Sequence, residues 1–214
     1  MSNNHLAICH TPPSATTTYI KEDKSNNFNI NNSTVTFNVT IPQYDAANSA
    51  EQLIAIQNFS KEYYQLIVTM EEDVFTNNIV NVSIDRALIR GNVPFEIYDR
   101  CSSLSDAGIE ELKTFPALIC RESTGYHGMA DVTQRVTYSH LKSIKKEGRI
   151  IKIAFCPIKV FPQQKLCEEF VSRYFDLNMA CALTDLNCSA WSVHKVNLFE
   201  AFDIANISGM PRPS

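Results

Sequence analysis

The stretch 129–161 constrains the fold more than any other part of the chain, because its pattern predicts two neighbouring strands. Val136 and Tyr138 fall on alternating positions, and residues 149–156 are almost entirely apolar. Alternation with a period of two is typical of a strand that buries one face. Glu147-Gly148 supplies a turn between the two segments. We therefore predict a meander or a small curled sheet in the C-terminal half of the chain.

The strongest helical pattern lies upstream of this region. Asn48 or Ser49 can cap the helix, because Glu51 or Gln52 follows three residues later at the spacing of a capping box. Apolar residues then recur at steps of three and four, which predicts a helix with one apolar stripe formed by Ile56, Phe59, Tyr63, Leu66 and Met70. Tyr64 interrupts this stripe, so we expect it to be an exposed contact residue.

Shorter elements complete the predicted fold. Trp191 and Val193 alternate on the last apolar stretch, so we assign Trp191 to the core. Further strands are predicted at 34–41, 79–84, 115–120 and 189–196, and further helices at 105–113, after Pro162 and after the capping residue Asn197. Together these elements predict an α+β fold with mostly antiparallel sheet and four or so helices.

The order of elements suggests how the chain is divided. Residues 1–33 are poor in apolar side chains and predict a flexible N-terminal arm. An αβ half is expected at 34–122 and a β-rich half with helices at 123–208, and the two halves either fold separately or share one core. Residues 209–214 are expected to form a loose tail.

Composition indicates a globular protein of a reducing compartment. The chain is 44% hydrophobic and 20% charged, which is typical of globular proteins. Its seven cysteines are irregularly spaced and none forms a C-x-x-C motif, so we expect free thiols and a cytoplasmic location. No stretch approaches the length of a membrane span, so we expect no membrane partner. We predict no cofactor and no metal site, because no ligand spacing typical of metal sites occurs.

Positive charge is concentrated in one segment of an otherwise acidic chain. The formal net charge is −4, yet residues 142–165 hold seven cations and one acid. A local basic stretch of this kind is typical of a site for phosphate or for an acidic partner. Alternatively, these lysines protect a sheet edge from pairing with another chain. The candidate binding residues are Lys142, Lys145, Lys146, Arg149 and Lys152.

The polar loop at 121–128 is the candidate catalytic segment. It follows a predicted buried strand and contains Arg121, Tyr126 and His127. An Arg followed by a His six residues later resembles the motif of HEPN-type ribonucleases. That resemblance implies that Arg121 stabilises a phosphorane and that His127 moves a proton. Glycines at 125 and 128 indicate a loop, whereas that family places the motif beside or within a helix.

Two functions follow from these patterns. The first is an intracellular protein-interaction module, such as an adaptor, an immunity-type inhibitor or a subunit of a larger assembly, with another protein as its partner and Tyr126 among its contacts. The second is a phosphodiester-acting enzyme or RNA-binding protein that uses Arg121, His127 and the 142–165 lysines. Phosphate-cradling glycine motifs are missing from the sequence, which favours the first function.

Overall fold

A computed structural model describes residues 49–179 and 181–214 of the chain. The predicted arm at 1–33 and the predicted strand at 34–41 lie outside the described residues. Within the described residues, no helix combines the length and the apolar character that a membrane crossing requires.

The described chain alternates short helices with strands. The helices are α1 (Ala50–Gln57), α2 (Val74–Asn77), α3 (Phe95–Cys101), α4 (Asp106–Lys113), α5 (Gln164–Cys167), α6 (Glu169–Ser172) and α7 (Leu198–Ile204). The strands are β1 (Tyr64–Thr69), β2 (Ile79–Ser83), β3 (Ala117–Arg121), β4 (Arg135–Glu147), β5 (Ile150–Pro162) and β6 (Ala190–His194). Single turns of 3₁₀-helix occupy Ile84–Arg86, Arg173–Phe175 and Asp185–Asn187.

All six strands join one curled, mixed sheet in the order β2-β5-β4-β3-β1-β6. Only β1 and β3 pair in parallel, and the other neighbours pair antiparallel. The prediction of an α+β fold with a mostly antiparallel, curled sheet is therefore confirmed. The long hairpin of β4 and β5 turns at Gly148, whose φ of +63° suits the left-handed conformation that glycine adopts without strain.

The sheet has an apolar core on each face. One core packs side chains such as Leu118 and Tyr138 against α7 and the 166–177 segment. The other packs side chains such as Ile119 and Trp191 against α3 and α4. Strands β1–β3 and strands β4–β6 both contribute to these two cores, so residues 64–121 and 135–194 fold around common apolar layers.

The predicted long helix after Ser49 is wrong beyond Gln57. Its start is confirmed, since Ser49 and Gln52 form the capping box. However, residues 64–69 form β1, and every side chain of that strand is buried. A strand that is buried on both faces has a continuous apolar run, which hydrophobic spacing cannot distinguish from a helix. Tyr64, expected to be exposed, is 0% exposed.

Most of the other predicted elements are present in the structure. The strands at 79–84, 115–120 and 189–196 and the helices capped by Ser105 and Asn197 are confirmed. Pro162 is the last residue of β5, and the helix predicted after it is divided into the short helices α5 and α6. Residues 209–214, predicted to form a loose tail, contact the rest of the fold, since Tyr138 Oη donates to the Pro211 carbonyl and Arg212 pairs with Asp203 at 2.7 Å.

Candidate active site

Strand β6 places two chemically capable side chains on one face of the sheet. Trp191 and Val193 point into the core, so the alternation of a strand sends Ser192 and His194 to the opposite face. The Ser192 Oγ atom lies 2.9 Å from Nε2 of His194. Both side chains are nearly buried, at 7% and 8% exposure, on the wall of a cleft of about 830 Å³.

A carboxylate completes the arrangement from the other side of the imidazole. The Oδ2 atom of Asp176 lies 3.3 Å from Nδ1 of His194. When Nδ1 carries the imidazole proton and donates to Asp176, Nε2 is free to accept the Ser192 proton. A serine, a histidine and an aspartate therefore stand in the order that nucleophilic catalysis requires.

Backbone geometry fixes Asp176 in this position. Asp176 follows the 3₁₀ turn Arg173–Phe175 and adopts a left-handed conformation, with a φ of +54°. Its N–H donates to the Arg173 carbonyl, and the next N–H donates to the Ser172 carbonyl. Left-handed residues with these bonds end helices, and aspartate tolerates the conformation because its short side chain is polar. The end of this 3₁₀ turn thus places the Asp176 carboxylate beside His194.

Tyr64 holds both partners of the histidine–aspartate pair. Its ring stacks on the His194 ring at a centroid distance of 5.0 Å. Its hydroxyl donates to the carbonyl of Phe175, the residue before Asp176. Burial raises the pKa of the Tyr64 phenol well above its usual range, so the hydroxyl stays protonated and keeps donating. β1 therefore supplies a rigid support for the site.

The hydrogen bond from His194 lowers the pKa of the Asp176 carboxyl below its usual value, and burial opposes that shift. The carboxylate is consequently ionised at neutral pH. The side chain of Asp176 is 70% exposed, so solvent screens much of its charge. The main effect of the Asp176 carboxylate is therefore to orient the His194 imidazole, rather than to stabilise a positive charge on it away from water.

Two guanidinium groups line the same cleft as Ser192 and His194. The β6 backbone pairs with β1 on one edge, and on the other edge Val193 N–H donates to the Asn92 carbonyl. Arg86 and Arg173 line the cleft, and neither forms an ion pair with another described residue. A guanidinium group that lies beside a reacting oxygen stabilises negative charge on it.

Arg121 and His127, the predicted catalytic pair, contact different parts of the structure. Arg121 ends β3, and its guanidinium lies 3.6 Å from Glu72. His127 is exposed, has a φ of +55°, and its backbone N–H donates to the Ala182 carbonyl. No hydrogen bond or ion pair between described residues joins the two side chains. The glycine-containing loop expected at 123–128 is present.

The cations of the 142–165 segment lie on different faces of the sheet and have different neighbours. Lys145 and Lys152 lie opposite each other on β4 and β5, and Lys146 faces the other side of the sheet. Lys142 contacts Glu51 at 3.6 Å, and Arg149 contacts Asp85 at 2.6 Å. The sequence could not distinguish these environments, because they depend on which strand face each residue occupies.

Three large apolar side chains are exposed in the segment that contains Tyr126. Tyr126, Met129 and Val132 are 62%, 57% and 84% exposed. The loop that carries them is ordered by hydrogen bonds, since Asn187 Nδ2 donates to the carbonyls of Ser123 and Gly125. We call Tyr126, Met129 and Val132 the loop apolar surface.

Sequence reasoning missed the serine–histidine–aspartate set. The period-2 reading of 189–196 already implied that residues flanking Trp191 and Val193 share the other face, and this was the available signal. Nothing in the sequence tied Asp176 to them. No protein-family model, no curated protein and no solved structure matches this chain, so the site rests on its own geometry.

Proposed function

We propose that this protein is a serine hydrolase that cleaves an ester or amide bound in the cleft beside β6. The observation that carries the proposal is the contact chain from Ser192 Oγ to His194 Nε2 at 2.9 Å and from His194 Nδ1 to Asp176 at 3.3 Å. The two ring nitrogens face the partners that the reaction needs, and a cleft of about 830 Å³ opens beside them.

The proposed reaction proceeds in two stages. Ser192 Oγ attacks the carbonyl carbon while its proton passes to His194 Nε2, and the leaving group departs with that proton. An acyl-serine remains. Water then attacks the acyl carbon and loses its proton to His194, which returns it to Ser192 as the acid product leaves. Asp176 keeps the imidazole in the required tautomer throughout.

Covalent labelling tests the nucleophile. A fluorophosphonate probe phosphonylates an activated serine with loss of fluoride, and peptide mapping by mass spectrometry locates the adduct. We expect the adduct on Ser192 and its loss in Ser192→Ala. Ser189→Ala is the matched control, because Ser189 bonds to Glu122 instead and should leave the labelling unchanged. Absence of an adduct on Ser192 in folded protein overturns the proposal.

Turnover of p-nitrophenyl acetate tests the histidine–aspartate pair. We expect His194→Gln to lower the rate by about 10²-fold or more, because the general base is lost. Asp176→Asn should also lower it strongly, because an amide favours the wrong tautomer. Asp185→Asn is the control, since Asp185 lines the same cleft but contacts the Asn178 backbone. Equal effects of the two aspartate variants would contradict the assigned roles.

A second function, protein interaction in the cytoplasm, is favoured by the loop apolar surface. Exposed tyrosine and methionine are enriched in protein interfaces, and an ordered loop loses little entropy on binding. Its partner would be another protein. Capture from native lysate should decrease with Tyr126→Ser and Met129→Ser together. The matched control is Phe95→Ser, an exposed aromatic residue at the start of α3. Unchanged capture by the double variant contradicts this role.

A further inference from the structure

A second pocket, of about 320 Å³, lies on the sheet face that carries α3. Its wall is formed by the 84–90 segment, by the turn between α3 and α4, and by the end of the β4–β5 hairpin, where Lys146 and Ile151 pair. The volume matches the lower range of small-molecule sites in proteins, which is about 300–1,000 Å³. The pocket is therefore large enough for a small organic ligand.

The charges around this pocket have one sign. Arg90 and Lys146 are its two charged lining residues, and no acidic side chain lines it. Neither cation forms an ion pair with another described residue. The Arg90 guanidinium lies 5.9 Å from the centroid of the ring of Tyr98, which also lines the pocket. Two lining cations without an acidic partner among the described residues favour an anionic group in the pocket.

The remaining lining divides into hydroxyls and apolar groups. Tyr98, Ser102 and Ser103 bring hydroxyl groups that can donate to anionic oxygens. Four apolar side chains also line the pocket, and we call them the apolar floor: Ile84, Leu88, Leu104 and Ile151. A ligand that satisfies both regions has an anionic head and an apolar body. A fully hydrated ion would leave the floor uncovered.

Two of the floor residues adopt an unusual backbone conformation. Leu88 and Leu104 have φ values of +48° and +54°. The other described non-glycine residues with positive φ are Asn, Asp or His, whose short polar side chains tolerate this region, but leucine does not. The Leu88 N–H donates to the Trp191 carbonyl, and the Leu104 N–H donates to the Cys101 carbonyl. Such strained residues concentrate at ligand sites, where the surrounding structure maintains them.

We propose that this pocket binds a small organic anion, a carboxylate or a phosphate monoester, whose apolar body lies on the Leu88 and Leu104 floor. Arg90 and Lys146 hold the anionic group through charge-assisted hydrogen bonds. The site is separate from the serine hydrolase proposal, because Ser192, His194 and Asp176 do not line it. The two sites share the wall at Ile89.

Calorimetric titration with three probes tests the ligand class. Phenyl phosphate and benzoate present the two anionic groups on an apolar ring, and inorganic phosphate presents the anion alone. We expect at least one aromatic anion to bind with a single site and inorganic phosphate to bind more weakly. No heat with either aromatic anion at millimolar concentration overturns the proposal. Equal binding of inorganic phosphate overturns the assignment of the apolar floor.

Charge-removing variants locate the site. Lys146→Ala and Arg90→Ala should each weaken the bound aromatic anion by about tenfold or more, which is typical of a lost charge-assisted bond. Lys145→Ala is the matched control, because Lys145 is the chain neighbour of Lys146 but points to the other face of the sheet. An equal loss in the Lys145 variant indicates general attraction to positive charge and contradicts a built site.

Discussion

Replacing Gln65 with leucine should destabilise the fold by about 2 to 5 kcal/mol. Gln65, the second residue of β1, is 0% exposed, and its amide joins three elements. Its Nε2 atom donates to the carbonyls of Leu112 and Phe115, and its Oε1 atom accepts from Trp191 Nε1 at 3.0 Å. This amide connects the strand that supports the candidate site, β1, with the strand that carries it, β6.

The magnitude follows from which groups lose their partners. The Leu112 carbonyl keeps the Phe115 N–H as a donor, so it remains satisfied. The Phe115 carbonyl and the Trp191 indole N–H lose the bonds that Gln65 makes. A buried group without a partner costs about 1 to 3 kcal/mol, and the apolar side chain of leucine offsets part of the total.

Urea unfolding followed by fluorescence measures this cost directly, because Trp191 is the only tryptophan and touches the substituted residue. Gln57→Leu is the matched control and should change stability by less than about 0.5 kcal/mol, because Gln57 is exposed. In a Trp191→Phe background, followed by circular dichroism, the cost of Gln65→Leu should decrease. A cost below about 1 kcal/mol, or an unchanged cost in that background, refutes the reasoning.

Two further predictions concern buried titratable groups. Burial lowers the pKa of His140 below its ordinary value of 6.5, so the unfolded chain binds a proton more readily. Stability should therefore decrease as pH falls below about 6.5, and His140→Leu should reduce that decrease in urea titrations at several pH values; an unchanged pH dependence contradicts this. With iodoacetamide and peptide mapping, the exposed Cys181 and Cys188 should react first. Burial raises the pKa of Cys167 to about 11 and that of Cys120 further, so both should react only after unfolding, and early labelling of either would be inconsistent with the core.

Local patterns predicted those elements whose partners are close in sequence. The β4–β5 hairpin, the capping box at Ser49 and the cap at Asn197 depend on contacts within a few residues, and all three were predicted. β1 was mistaken for helix because its identity depends on the strands on either side of it. Burial on both faces removed the alternation that would have marked it as a strand.

The candidate site depended on contacts that no local pattern contains. Ser192 and His194 are two residues apart, so the strand prediction placed them on one face. Asp176 reaches them only because a 3₁₀ turn ends in a left-handed residue, and Tyr64 only because β1 pairs with β6. A histidine's partners come from the tertiary fold, and they determine whether it can act as a base.

The pairing of β1 with β6 sets when the candidate site can form during synthesis. Gln65 and Trp191 touch across 126 positions of sequence, and every residue of β6 is made long after β1. Contacts this distant form slowly and late, because the intervening chain must first be ordered. A nascent chain that ends before residue 190 has neither the proposed nucleophile nor its proposed base, so the proposed hydrolytic activity would begin only when nearly all of the described fold has been synthesised.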